Sequence, residues 1–321
     1  MLKNVKQNIF SLFKKLRLKL ETENLKKVEN SIVVKKRFYT DLVNNNLFLK
    51  IKLQKRKEVK RDLEREIESY KILKKKFPEK LRFFPKLISE GKHKNLYWML
   101  EKAERGKLGG IMGEDFGMKK SFLLKISPSY LASLIFLYQN LKPKFPLYKQ
   151  GGWWYWQDFN GYRVKFLNEF INSKFNQNLL KTEDIFLAQK ILSENKKYLD
   201  QSTRYLSHGD LYPNNFILNE EGKLIILDWG LANFNNSAFD VAFVYLLSHR
   251  LPTWQRNFLN AYLLNIKEKD KFKKLFNLAL ISLTVRFAAH CYFNLRTKKE
   301  VSSIFKKHLK IFKKAIAELK L

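Results

Sequence analysis

The sequence predicts an α+β chain in two lobes, a small antiparallel sheet carrying one helix followed by a larger, mainly helical lobe. Three observations carry that reading. Four β-rich runs, at 31–39, 47–53, 87–89 and 95–100, crowd into the first hundred residues, with one long segment of helical apolar spacing among them. Gly106, Gly109, Gly110, Gly113 and Gly117 then mark a flexible connection. Beyond it the chain reads as helices, broken by one hairpin near 214–230.

Residues 1–27 form a basic amphipathic segment, with Val5, Ile9, Leu12, Phe13, Leu16 and Leu20 at helical spacing and Lys3, Lys6, Lys14, Lys15 and Arg17 among them. Its apolar stripe must meet either the protein body or a membrane. The runs 31–39 and 47–53 are joined by 40–46, whose three asparagines tolerate the left-handed backbone of a turn, so together they predict a hairpin. Val59, Leu63, Ile67, Tyr70, Leu73 and Phe77 then predict an amphipathic helix over 57–77, with Pro78 and Pro85 bracketing its exit. The expected organisation is a basic helix at 1–27, a first lobe at 28–103 and a second at 104–321. The stretch 275–293 approaches bilayer-spanning length, but Asn277, Arg286 and His290 are expensive in hydrocarbon, and a buried helix is predicted instead.

A chain of 321 residues with 45% apolar composition can fill substantial cores. Lys and Arg number 63 against 30 Asp and Glu, a formal charge of +33 that suits anionic partners or a lysine-coated solvated surface equally well. No nucleic-acid-binding signature accompanies it, and no specific nucleic acid is expected as a partner. Cys291 is the single cysteine, which excludes an intrachain disulfide or a cysteine zinc site and predicts a cytoplasmic protein.

The chemistry concentrates between Ser207 and Gly230. Asp210 and Asn215 lie in a loop that follows His208-Gly209, and an apolar run at 224–227 ends in Asp228-Trp229-Gly230. Carboxylate and amide oxygens at the ends of a hairpin suit phosphoryl transfer, which needs one carboxylate to orient the attacking hydroxyl and oxygen ligands for Mg²⁺. At these residues the chain resembles the aminoglycoside phosphotransferase family, whose catalytic loop reads HGDxxxxN and whose metal segment reads D-x-G after an apolar strand. The resemblance implies a protein-kinase-like bilobal fold and an ATP-dependent, Mg²⁺-dependent phosphotransferase. It implies Asp210 as catalytic base, Asn215 and Asp228 as Mg²⁺ ligands, and His208 as a brace for the loop. It also implies Asp240 as structural support at the start of the next helix, a place where capping alone would explain an aspartate.

The first lobe extends the same resemblance. Lys50 looks like the lysine that pairs the nucleotide phosphates, with Lys52 the alternative on the same strand face. Glu66 falls on the inward side of the helix, where a charge needs a partner, and Lys50 is expected to supply it. Adenine would contact backbone near Glu101 to Ala103. No G-x-G-x-x-G occupies the 40–46 turn, which argues against a typical protein kinase. The Trp153-Trp154-Tyr155-Trp156 cluster suits core packing or contact with the acceptor. The expected acceptor is a small molecule with a hydroxyl group: a sugar, an amino alcohol or an aminoglycoside-like compound. The alternatives are a lipid-linked saccharide at an anionic membrane surface, a protein kinase, and a nucleotide-binding module without catalysis.

Overall fold

The computed structural model describes residues 2–19, 38–44, 46–52, 57–110, 117–144, 162–173, 176, 179–295 and 301–319. The chain divides into two units, the first comprising 1–106, 143–146 and 219–232, the second the remainder. Segment 219–232, with Asp228, thus belongs to the first unit although it follows the Asp210 loop in sequence.

The first unit is built on a four-stranded antiparallel sheet of order β1-β2-β4-β3: β1 Phe38–Val43, β2 Leu47–Lys52, β3 Leu87–His93 and β4 Leu96–Lys102. Strand β1 runs into the segment that the sequence reading expected as a turn. Thr40, Leu42 and Val43 pair with Lys50, Phe48 and Leu47, so most of the expected turn is strand and the reversal tightens to 44–46. Asn44 takes the left-handed conformation there, with φ of 49°. Segment 31–37 lies outside the described residues.

Two helices cover the two faces of this sheet. Side chains alternate along a strand, and Leu49 and Ile51 of β2, with Leu96, Trp98 and Leu100 of β4, form one core with Ile9, Leu12 and Phe13 of helix α1, Leu2–Leu16. Burying those three α1 side chains contributes about 1.5–3 kcal/mol each. The helix stops at Arg17, whose φ is 54°, and Leu18 N–H returns to Phe13 O at 3.0 Å. Ile9, Leu12 and Phe13 of the basic segment's apolar stripe therefore pack on the sheet, as the docking alternative expects; 20–27 lie outside the described residues. The opposite sheet face, with Lys50, Met99 and Glu101, receives helix α2, Lys57–Lys76, whose Leu63, Ile67, Tyr70 and Leu73 are buried.

After a short strand β5, Gly106–Leu108, the second unit is mainly helical: α3 Lys120–Leu123, α4 Pro128–Gln139, α5 Tyr162–Ile171, α6 Thr182–Glu194 and α7 Lys196–Ser202. Strand β6, Tyr205–Ser207, leads into the loop of interest, and short strands β7, Phe216–Asn219, and β8, Leu224–Ile226, follow it. Gly222 supplies the φ of 75° needed in the 219–223 turn. Strand β9, Asn233–Asn235, pairs antiparallel with β6, and α8 Phe239–Leu247, α9 Pro252–Leu263, α10 Lys269–Leu295 and α11 Val301–Leu319 complete the chain. Helix α10 contains the apolar stretch, and Leu278, Ile281, Leu283 and Phe287 are fully buried inside the unit. Among the described residues no helix is long and apolar enough to cross a membrane. His249 and His308, both buried, hydrogen bond the same Leu246 carbonyl at 3.0 and 3.1 Å, which makes them packing residues of α10 and α11's surroundings rather than ligands.

Candidate active site

In the first unit, Lys50 stands between two carboxylates. Its Nζ donates to Glu66 Oε2 at 2.5 Å and to Asp228 Oδ1 at 2.9 Å. Strand alternation aims Lys50 at α2, and Glu66 lies on the inward face of that helix between Leu63 and Tyr70. Lys52, on the same strand face, instead lies over the Tyr97 ring at 5.4 Å. Burial works against the charged form of Lys50, but Asp228 and Glu66 outweigh it and hold the ammonium above its ordinary range.

Asp228 has φ of 58° and ψ of 65°, a left-handed conformation that is uncommon for a residue with a side chain. It follows buried strand β8, and the turn after it closes around Gly230, where a Cβ would come within 3.4 Å of Asp228 Oδ1. The Asp228 side chain is about half exposed, at 52%, whereas Lys50 and Glu66 are buried.

Further acid surrounds this pair. Burial raises the Asp62 carboxyl to about 7, with Arg65 opposing and Asp228 and Glu66 adding to the rise. Glu66 is pushed up by burial and drawn down by Lys50, and Tyr70 donates to its Oε1 at 3.1 Å. Glu101 is raised well above the carboxylate range by burial first and Glu66 second. Its Oε2 is buried without a hydrogen-bond partner, a setting that disfavours the charged form. The sequence reading placed Glu101 and Ala103 beside adenine through their backbone. In the structure the Glu101 side chain faces inward, and the Lys102 and Ala103 N–H groups donate to Lys86 O and Asn46 O at 2.9 and 2.8 Å.

In the second unit, the loop carrying Asp210 is held from below by Asp240. That carboxylate accepts from Ser207 Oγ at 2.8 Å, His208 N at 2.7 Å, Gly209 N at 3.2 Å and Tyr138 OH at 2.7 Å. Asp240 is fully buried in the first turn of α8, whose own N-cap, Ala238, makes no side-chain cap. Its work is loop anchoring, and the capping explanation does not apply. Gly209 supplies a φ of 76°, and the buried His208 accepts from Asp210 N–H through Nδ1 at 3.2 Å. Asn215 Nδ2 donates to Asp210 O at 2.7 Å and to Asp210 Oδ2 at 3.3 Å, which brings the expected base and one expected metal ligand side by side.

The donor chemistry fits a divalent cation. Mg²⁺ is commonly held by one or two protein oxygens plus substrate phosphates rather than by an all-protein cage, and no cluster of three His, Cys, Asp or Glu ligands occurs among the described residues. Asp228 offers a half-exposed carboxylate amid excess buried acid, and Asn215 offers an amide oxygen that now accepts from Asn214 at 3.1 Å.

Comparison with known proteins decides the class. Residues 148–274 match the phosphotransferase enzyme family. The matched stretch contains Asp210, Asn215, Asp228 and Asp240, so the family resemblance read from the loop is borne out. No curated protein matches the chain in sequence. Among solved structures, the GDP complex of wild-type aminoglycoside 2'-phosphotransferase-IIIa shares 15% identity over 98% of both chains, with a TM-score of 0.53. The choline kinase LicA from Streptococcus pneumoniae shares 13% over 99% of both, with a TM-score of 0.51. A choline/ethanolamine kinase family protein from Mesorhizobium loti shares 11% over 89% of this chain and 90% of its own, with a TM-score of 0.54. At such identities the likeness shows the protein-kinase-like fold. With the phosphotransferase-family match it supports an ATP- and Mg²⁺-using phosphotransferase acting on a hydroxyl. Neither comparison favours the lipid-linked, protein-kinase or non-catalytic alternatives.

Three features around these residues escaped the sequence reading. The inward carboxyl of Glu101 was hidden because it ends an apolar strand and resembles an ordinary boundary charge. Tyr138 and its bond to Asp240 arise from residues 102 positions apart, which no spacing reveals. Arg286 approaches Asp210 from α10, and its signal was legible: a lone arginine in the apolar stretch 275–293. The Trp153 to Trp156 cluster lies outside the described residues.

Proposed function

We propose that this phosphotransferase transfers the γ-phosphoryl group of ATP to a hydroxyl of a small polar molecule in the cytoplasm. The observation that carries the reading is Lys50 held at once by Glu66 and Asp228, an ammonium buried and charged where nucleotide phosphates would need it. Asp210 accepts the acceptor's proton as the new P–O bond forms and the bond from γ-phosphorus to the ADP oxygen breaks. Asn215 and Asp228 would each offer an oxygen to Mg²⁺, which would neutralise charge on the phosphates. Lys50 adds its charge to the same oxygens, Glu66 keeps that lysine in place, and Asp240 with His208 fixes the loop. The lobes divide near 103, with nucleotide contacts at Glu101 to Ala103 and acceptor contacts in the second lobe.

The solved relatives include enzymes whose names point to choline and aminoglycosides, and amino alcohols and amino sugars are the first acceptors to test. Incubation with γ-labelled ATP, Mg²⁺ and a panel of choline, ethanolamine, gentamicin and simple sugars should label at least one acceptor. Label confined to the protein itself, or appearing equally with Asp210→Asn, would contradict the reading.

A further inference from the structure

A charge buried in an apolar helix needs a reason, because an unpaired guanidinium away from water costs several kcal/mol. Arg286 sits in α10 between Val285 and Phe287, and its side chain is only 3% exposed. Its Nη2 lies 3.5 Å from Asp210 Oδ1 and its Nη1 lies 3.4 Å from Gly209 O. The guanidinium carbon lies 5.7 Å from the ring centres of both Tyr212 and Phe243, which hold the head group by stacking and cation–π attraction. Those rings pack edge-to-face on one another at 5.1 Å, and Phe243 packs on Phe287 at 5.3 Å. The arginine is thus wedged against the loop and these rings.

Asp210 is accordingly gripped from two sides. Asn215 takes Oδ2 and the Asp210 main-chain oxygen, whereas Arg286 takes Oδ1 and the preceding carbonyl. Each partner touches one carboxylate oxygen and one backbone oxygen, which fixes both the loop and the side-chain torsions of the aspartate.

We propose that Arg286 is a positioning residue for phosphoryl transfer: it aims the Asp210 carboxylate at the acceptor, from a helix that begins 59 residues after that loop's aspartate. This rests on Asp210 being the base. A planar fork that contacts two oxygens restricts rotation in a way a single ammonium does not, and misplacing a reacting group by about 1 Å can cost about 10²-fold in rate.

The test measures γ-labelled Mg·ATP turnover with water, choline and gentamicin as acceptors, for wild type, Arg286→Met, Arg286→Lys, Asp210→Asn and Arg286→Met/Asp210→Asn. Arg286→Met should lower kcat about 10²-fold with KM for Mg·ATP within about threefold. Arg286→Lys should recover only part of the loss, and the double variant should be no slower than Asp210→Asn alone. Wild-type kcat in Arg286→Met, with Asp210→Asn inactive, would overturn the inference while leaving the base in place. Full activity in Asp210→Asn would instead overturn the reading beneath it. Thermal melts of the same proteins decide the contact without any acceptor. Asp210→Asn should shift Tm differently in the wild-type and Arg286→Met backgrounds, and equal shifts would show the two residues to be uncoupled.

Discussion

The charged cluster of the first unit and the Asp210 loop of the second are held in opposite ways. In the first unit Lys50 is shared between the Glu66 and Asp228 carboxylates, with Asp62 and Glu101, both pushed up by burial, beside them. In the second unit the loop of Asp210 is fixed by one buried carboxylate, Asp240, satisfied by four donors. The first arrangement gathers acid around one buried ammonium, and charge is what a substitution there changes. The second is already satisfied and preorganised, and geometry rather than charge is what it can lose.

That contrast predicts the largest damage at Asp240. Asp240→Ala leaves Tyr138 OH, Ser207 Oγ and two loop N–H groups buried without their acceptor, which should cost about 3–5 kcal/mol of stability and abolish measurable turnover. Chemical denaturation and γ-label transfer check this, and a well-folded, active Asp240→Ala protein would erase the contrast.

Lys50→Ala should come next, with a fall of about 10²-fold or more in kcat/KM for Mg·ATP. Lys52→Ala should stay within a few fold, since its ammonium rests on the Tyr97 ring. Equal losses would mean that the buried pair does not single out one lysine.

The smallest effect should appear at Glu101. Its carboxyl holds a proton more tightly in the folded than in the unfolded chain, so its contribution is fully present below the unfolded value, near 4.5, and is lost as pH rises toward the elevated folded value. Glu101→Gln removes a proton-dependent cost while keeping the volume. Its stability relative to wild type should therefore rise between pH 5 and pH 8, reaching about 1 kcal/mol. A pH-independent difference in urea midpoints would show that Glu101 does not carry that proton.

How much of this was legible in the sequence follows from how far each interaction reaches along the chain. Helix α2, strand β2 and the loop from His208 to Asn215 declare themselves by period and spacing within about twenty residues. The Lys50–Glu66 contact was inferable because both positions have a known face, sixteen residues apart. The end of the first strand was set too early because Thr40, Asp41 and three asparagines read as turn, and only the pairing of Leu42 and Val43 with Phe48 and Leu47 overrides them. Asp240 was identified as a support, but a cap and an anchor look alike until the donors of Ser207, His208, Gly209 and Tyr138 arrive. Arg286 announced itself only as an anomaly, since nothing local says which carboxylate 76 residues away it will meet.

The central claim is that Asp210 serves the acceptor while Lys50 and Asp228 serve the nucleotide, and one paired measurement tests it directly. Mg·ATP affinity by titration calorimetry and γ-label transfer should be measured on wild type, Asp210→Asn and Asp228→Ala. Asp210→Asn should keep Mg·ATP affinity within a few fold and lose transfer, whereas Asp228→Ala should lose Mg²⁺-dependent binding itself. Unchanged transfer in Asp210→Asn, or unchanged Mg·ATP affinity in Asp228→Ala, would contradict the division of labour.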